Sequence, residues 1–347
     1  MTFFRRAGLA FVLFALFYLV SASAGDSNRQ YKACLRICDL NRCETGEYEA
    51  TKPFSLWLTR WTCTDDCQYR CMHTMVDNAI SSGKKVHQYY GKWPFWRFAG
   101  MQEPASVVFS VLNFMAHLSG YRKIKRALPN SHPMKPYYIL WAVCSMNAWL
   151  WSSVFHTRDL PITEKLDYFS AALVILNALY GTIIRLFHLY PQPERVKLTG
   201  STGVPGWKIL RGACVLVYAG HIYYLTSGPR FDYTYNTIFN LVIGLSHNIL
   251  WTLYALPSSL SVLKSRFPGA PKGYRPSFVN KAGLFVLLTT LATSLELFDF
   301  PPWFRTIDAH SLWHAATAPI GYLWYDFLVQ DSLDPSWQTP LLRQRPE

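Results

Sequence analysis

Three histidines, a serine and an aspartate carry the residue types of a hydrolytic metal centre. Ser152, His156 and Asp167 lie in WSSVFHTRDLPITEKLD at 151–167, and His310 and His314 in DAHSLWH at 308–314. Residues four apart share one face of a helix, so Ser152 goes with His156 and His310 with His314. Two ring nitrogens at that spacing suit one ion, and a third from another helix completes a three-histidine set with one coordination position open for catalysis. Zinc in such a site lowers the pKa of its water to about 7. A nearby carboxylate takes the proton or orients a ligand, and a hydroxyl steadies an oxyanion. On this reading Zn2+ belongs to His156, His310 and His314, and catalytic roles to Ser152 and Asp167. Each also has a plainer use: His156 as a helix-end residue, HxxxH as polar contacts within a bundle, Asp167 as a charge favourable to a helix N-terminus. Ser153 competes with Ser152, and Asp159 with Asp167. Asp308 doubles as a cap for the helix that follows. His117, His221 and His247 sit singly in apolar surroundings and read as packing, while Glu296 is an acid within an apolar block.

Whether these side chains meet depends on the elements that carry them. Half of the 347 residues are apolar and 16% are charged. After residue 103 the apolar residues fall into seven blocks, 104–121, 137–156, 166–187, 207–226, 234–255, 281–298 and 308–328. Such blocks match the length needed to cross a bilayer, about 20 residues. Backbone groups in lipid must be satisfied within the segment, so the blocks are helices. The net charge of +13 sits in short loops between them, which is membrane topology rather than a nucleic-acid-binding face.

The amino terminus has Arg5 and Arg6, an apolar run from Leu9 to Val20 and Ala22-Ser23-Ala24, the parts of a signal peptide; an uncleaved anchor is the rival. Either way the next segment is luminal. Its cysteines, Cys34, Cys38, Cys43, Cys63, Cys67 and Cys71, read as up to three disulfides in an oxidising compartment, with about fifteen pairings open; zinc binding by CTDDCQYRC is the weaker alternative. Cys144 and Cys214 lie inside apolar blocks as packing residues. With that segment luminal, the cytosolic loops and helix flanks carry fifteen Lys and Arg against four on the luminal side, a clear positive-inside bias. This orientation brings Ser152, His156, Asp167, His310 and His314 to one luminal level from three helices. The fold class is thus an all-α membrane protein: signal peptide 1–24, luminal cysteine-rich domain 25–103, a seven-helix transmembrane domain 104–328 and a cytosolic tail 329–347.

SxxxH, an aspartate eleven residues on and a late HxxxH resemble the pattern of the CREST superfamily of seven-helix membrane hydrolases, which includes alkaline ceramidases and adiponectin receptors. The resemblance implies zinc on His156, His310 and His314, with Ser152 and Asp167 beside the metal's water. WTCTDDCQYRCM, GKWPF, QEPAS, LWSSVFHTRDLPITEKLDYF, RFDYTYN, LELFDFPP and DAHSLWH are more closely similar to the post-GPI-attachment lipid remodelling factors, in the GPI-specific phospholipase A2-like branch. That resemblance implies removal of the sn-2 acyl chain from the inositol phospholipid of GPI-anchored proteins. It implies a Golgi or endoplasmic reticulum membrane, with GPI-anchored proteins and membrane lipid as partners. Two rival functions stay open: a ceramidase-like amide hydrolase, against which the cysteine-rich segment argues, and a non-catalytic receptor or escort for GPI-anchored proteins.

Overall fold

The structure, a computed structural model, describes residues 24–190, 205–263, 266–267, 270, 273–295 and 298–337. The signal-peptide reading lies outside these except for Ala24, as do Glu296 and the last ten residues. The described residues contain no β-strands, only three isolated bridges. They divide into two compact units, the first within Met1–Val107 together with His156–Arg158 and Thr293–Trp313, the second Val108–Phe155, Asp159–Ala292 and His314–Glu347.

The first unit is built on α1 (Arg29–Cys38) and α2 (Cys63–Ser81). Asn28 caps α1 by accepting from the Gln30 and Tyr31 amides, and Thr62 with Asp65 forms a capping box on α2. Cys63, Cys67 and Cys71 recur every fourth residue and so form one stripe on α2. Against that stripe the chain lays Cys43, Cys38 and Cys34 in reverse order, giving nested bridges Cys34–Cys71, Cys38–Cys67 and Cys43–Cys63. The pairing that spacing left open is therefore antiparallel. Tyr31, Val76 and Tyr89 pack around Cys71 as the unit's small core. Beside it Asp66 is buried among Arg42 at 2.9 Å, Arg70 at 2.7 Å and Arg97. Burial alone would raise the Asp66 carboxyl, but these guanidiniums hold it below the usual carboxylate range. Non-reducing peptide mapping of the full chain should recover these three linkages. Cys67→Ser should destabilise the unit by about 2–5 kcal/mol; a different pairing would contradict the nested arrangement.

The remaining long helices are α3 (Pro104–Ala127), α4 (Lys135–Thr157), α5 (Pro161–Leu186), α6 (Gly206–Ser227), α7 (Tyr233–Ala255), α8 (Val279–Ser294) and α9 (Ala309–Ser332). Each apolar block holds one of them. Among the described residues α5, α6 and α7 are long and apolar enough to cross a membrane, and α8 is a shorter apolar helix. Hydropathy carried the sixth block to residue 298, but α8 stops at Ser294. Two prolines, Pro301 and Pro302, follow in the connecting loop. The last helix runs past residue 328 to Ser332.

The second unit packs Ile124, Met134, Tyr138, Ile184, Trp251, Tyr254, Tyr325 and Phe327 into one core. Asp331, on the last turn of α9, accepts both arms of the Arg185 guanidinium at 2.7 Å and the Tyr254 hydroxyl at 2.6 Å. Both charges are fully buried. Removing one partner of such a pair strands the other charge, so Asp331→Ala should cost about 3–5 kcal/mol, read as a lower midpoint of thermal unfolding. An unchanged midpoint would show that the pair does not hold α5 to α9.

Candidate active site

Within the first unit the site is the last turn of α4 and the first of α9. The carbonyls of His156 and Thr157, left without helical partners at the end of α4, accept from the backbone amides of Glu103 and Gln102, each at 3.0 Å. That backbone grip brings the Glu103 carboxylate to His156, whose Nδ1 stands 2.8 Å from Oε2. The other carboxylate oxygen of Glu103 accepts from Lys92 Nζ at 2.5 Å. Burial would raise the Glu103 carboxyl, but Lys92 and His156 hold it well below the usual range. A carboxylate oxygen only accepts, so His156 Nδ1 is the donor of this hydrogen bond. The lone pair of His156 then lies on Nε2, which is 3.2 Å from His310 Nε2. Two nitrogens at about 2.0–2.1 Å from one tetrahedral ion stand about 3.3 Å apart, so this pair has the separation of two zinc ligands.

Asp308 sets the start of α9. Its carboxylate accepts from the Ser311 amide at 2.9 Å while the Ser311 hydroxyl engages the Asp308 backbone, a reciprocal cap that places His310 in the first turn. His314 follows one turn later on the same helix.

In the second unit His314 is buried, with Nδ1 2.9 Å from Ser110 Oγ, which in turn lies 3.1 Å from Ser152 Oγ. The Asn113 side-chain amide donates to the His314 carbonyl at 2.7 Å, and Trp149 sets a ring edge-on to the imidazole. His156 and His314 thus have the same ring nitrogen, Nδ1, bonded to a fixed protein oxygen, the usual way an imidazole is oriented toward a metal.

Ser153 donates its hydroxyl to the Trp149 carbonyl at 2.8 Å, while Ser152 is linked to His314 through Ser110. Asp167 lies in the second turn of α5, half-buried, and Asp159 is half-buried in the turn before it. Of the single histidines, His117 meets the Tyr325 hydroxyl at 2.9 Å and His247 meets Asn248 at 3.2 Å, while His221 stacks its ring on Phe239 with neither ring nitrogen hydrogen-bonded among the described residues. Cys144 and Cys214 are free thiols.

Lys92, Glu103 and Ser110 escape a reading by spacing. Ser110 is one serine of several in an apolar block. Glu103 had a signal, an acid immediately before the Pro104 that opens a helix, at the level of the histidines. Glu103→Gln keeps the shape but loses the charge that fixes the His156 tautomer. Lost partners of this kind typically lower metal affinity by about 10–100-fold, which competition with a chromogenic chelator measures. Unchanged affinity would remove Glu103 from the site.

The family described as Per1-like matches residues 53–332 of the chain. Protein PER1 homolog of Schizosaccharomyces pombe is 41% identical over 322 residues, covering 92% of this chain and 90% of that protein. The GPI-specific phospholipase A2-like PGAP3 of Xenopus laevis is 38% identical over 328 residues, covering 93% and 94%. That of Homo sapiens is 38% identical over 318 residues, covering 91% of each. No solved structure matches.

Proposed function

We infer from membership of the Per1-like family, to which this chain belongs, that it is a hydrolase of GPI-anchor remodelling that cleaves the sn-2 acyl ester of the inositol phospholipid on GPI-anchored proteins. Its relatives carry the name GPI-specific phospholipase A2-like. The observation that carries the chemistry is the His156–His310 pair, with Nε2 atoms 3.2 Å apart and Glu103 behind His156. The three histidines would hold Zn2+, which supplies a Lewis acid and an acidified water when bound. We read all seven long helices as crossings of a Golgi or endoplasmic reticulum membrane, after a signal peptide, with the histidines at the luminal leaflet. An sn-2 ester lies just below the headgroup, so a site at that depth reaches it without lifting the lipid out.

The chain's own groups then divide the work. Glu103 and Ser110 hold the Nδ1 atoms of His156 and His314 and so aim their rings. Asp167 takes the proton of the attacking water, whose oxygen adds to the sn-2 carbonyl carbon. Ser152 donates a hydrogen bond to the oxygen that gains charge. When the ester C–O bond breaks, the glycerol oxygen leaves with the proton passed on from Asp167, yielding a free fatty acid and a lyso-GPI. The test is lipid analysis of GPI anchors from cells lacking the protein. Anchors should keep the original sn-2 chain and lose it again when the native chain is restored. Normal exchange in those cells would refute the assignment, and accumulating ceramide would favour the amide hydrolase instead.

A further inference from the structure

The loop leading into His310 presents an aromatic side chain in a way that folding alone does not explain. Phe304 is 92% exposed and has φ 53°, and Arg305 beside it has φ 55°. A bulky residue in the left-handed region is an outlier, because its Cβ crowds the following carbonyl oxygen. Two in succession persist only where the surroundings over-determine them. Here they do. Arg305 pairs with Asp77, donates to His73 Nδ1 at 2.9 Å and lies over the Trp96 ring, while its carbonyl accepts from the Trp96 amide at 2.8 Å. Trp303 closes the loop through its amide to the Ile307 carbonyl at 2.7 Å. The disulfide-bonded unit therefore grips Arg305 and holds Phe304 out. Phe298 and Trp303 on the same loop are also exposed.

The surroundings in sequence say what receives this side chain. The loop follows α8, whose exposed stripe Leu284, Leu287 and Leu291 repeats at three- and four-residue spacing, the pattern of a helix face turned to lipid. It runs directly into α9 at Ala309. The unit that holds it also contains His156–Arg158, three residues before α5, a helix long and apolar enough to cross a membrane. Phe304 thus stands where apolar helix ends meet water, the level at which aromatic side chains settle in a bilayer.

We propose that Phe304, with Phe298 and Trp303, is a wedge inserted into the luminal leaflet, an interaction surface for phospholipid that seats the cysteine-rich unit on the membrane beside His310. It rests on the membrane reading and not on which bond is cleaved. The ion pair of Arg305 with Asp77 is the brace, and the bilayer interface is the partner.

The test uses the full chain in phosphatidylcholine nanodiscs. Cys144 and Cys214 are changed to alanine, and an environment-sensitive fluorophore is attached in turn to Phe304→Cys, Phe298→Cys and, for comparison, the exposed Lys84→Cys. Only preparations retaining the three native disulfides by mass spectrometry are read. The labels at 304 and 298 should be quenched by lipids bearing a nitroxide near the glycerol. They should also be several-fold less sensitive to aqueous iodide than the label at 84. Equal iodide quenching at all three positions would overturn the proposal. Protection from iodide without quenching by lipid would overturn it too, because protein and not membrane would then cover Phe304.

Discussion

His310→Ala should strip the purified chain of most of its metal, while the native chain holds about one zinc and His247→Ala keeps it. The expectation follows from the two histidines' surroundings. His310 Nε2 faces His156 Nε2 at 3.2 Å, and without it two ligands remain of three. His247 bonds to its neighbour Asn248 instead. Elemental analysis after dialysis decides the matter, and equal retention in both variants would refute the ligand assignment. The three disulfides lie within the first unit and should form in both variants, so lost metal would not mean lost folding.

Asp167→Asn should be as severe for turnover, through a different step. An asparagine amide cannot take the proton of the attacking water, so the variant should bind zinc and reach its compartment yet fail to restore sn-2 exchange. Ser152→Ala should slow the reaction by about 10²–10³-fold, the loss typical of one oxyanion donor. The Ser152–Ser110–His314 chain also sharpens the contrast with a serine nucleophile. If His314 uses Nε2 for the metal, its Nδ1 donates to Ser110 and cannot receive a proton from Ser152. A nucleophilic Ser152 would need the opposite polarity and would leave an acyl-enzyme that labelled substrate traps. Trapping that adduct would overturn the water mechanism, and full rescue by Asp167→Asn would remove the aspartate from it.

Much of this architecture is written in one-dimensional periodicity, and the rest is not. Apolar blocks of bilayer length force helices because lipid offers the backbone no other partner, and every block holds one. The helical positions of Ser152, His156, His310 and His314 follow from those blocks and from four-residue spacing alone. The four-residue spacing of Cys63, Cys67 and Cys71 puts them on one helix stripe but leaves the pairing open, because the antiparallel course of the partner segment is set by the fold. Glu103 and Lys92 were harder to see, because they reach His156 through a backbone grip between the end of α4 and residues 102–103. Arg185 and Asp331 were hidden for a related reason. The contact joins helices 146 residues apart in sequence, and hydropathy counts both charges as signs of a helix end. Phe304 was invisible as well, since backbone conformation and not residue type sets it apart.

The central claim is that this chain hydrolyses the sn-2 ester with water. Purified protein in nanodiscs, given a GPI-anchored substrate in water enriched with heavy oxygen, tests it most directly through the mass of the released fatty acid. The account predicts one heavy oxygen in the fatty-acid carboxyl group, an unlabelled lyso-GPI and no release by the His310→Ala chain. Release of unlabelled fatty acid, transfer of the chain to another lipid, or equal release by His310→Ala would contradict it.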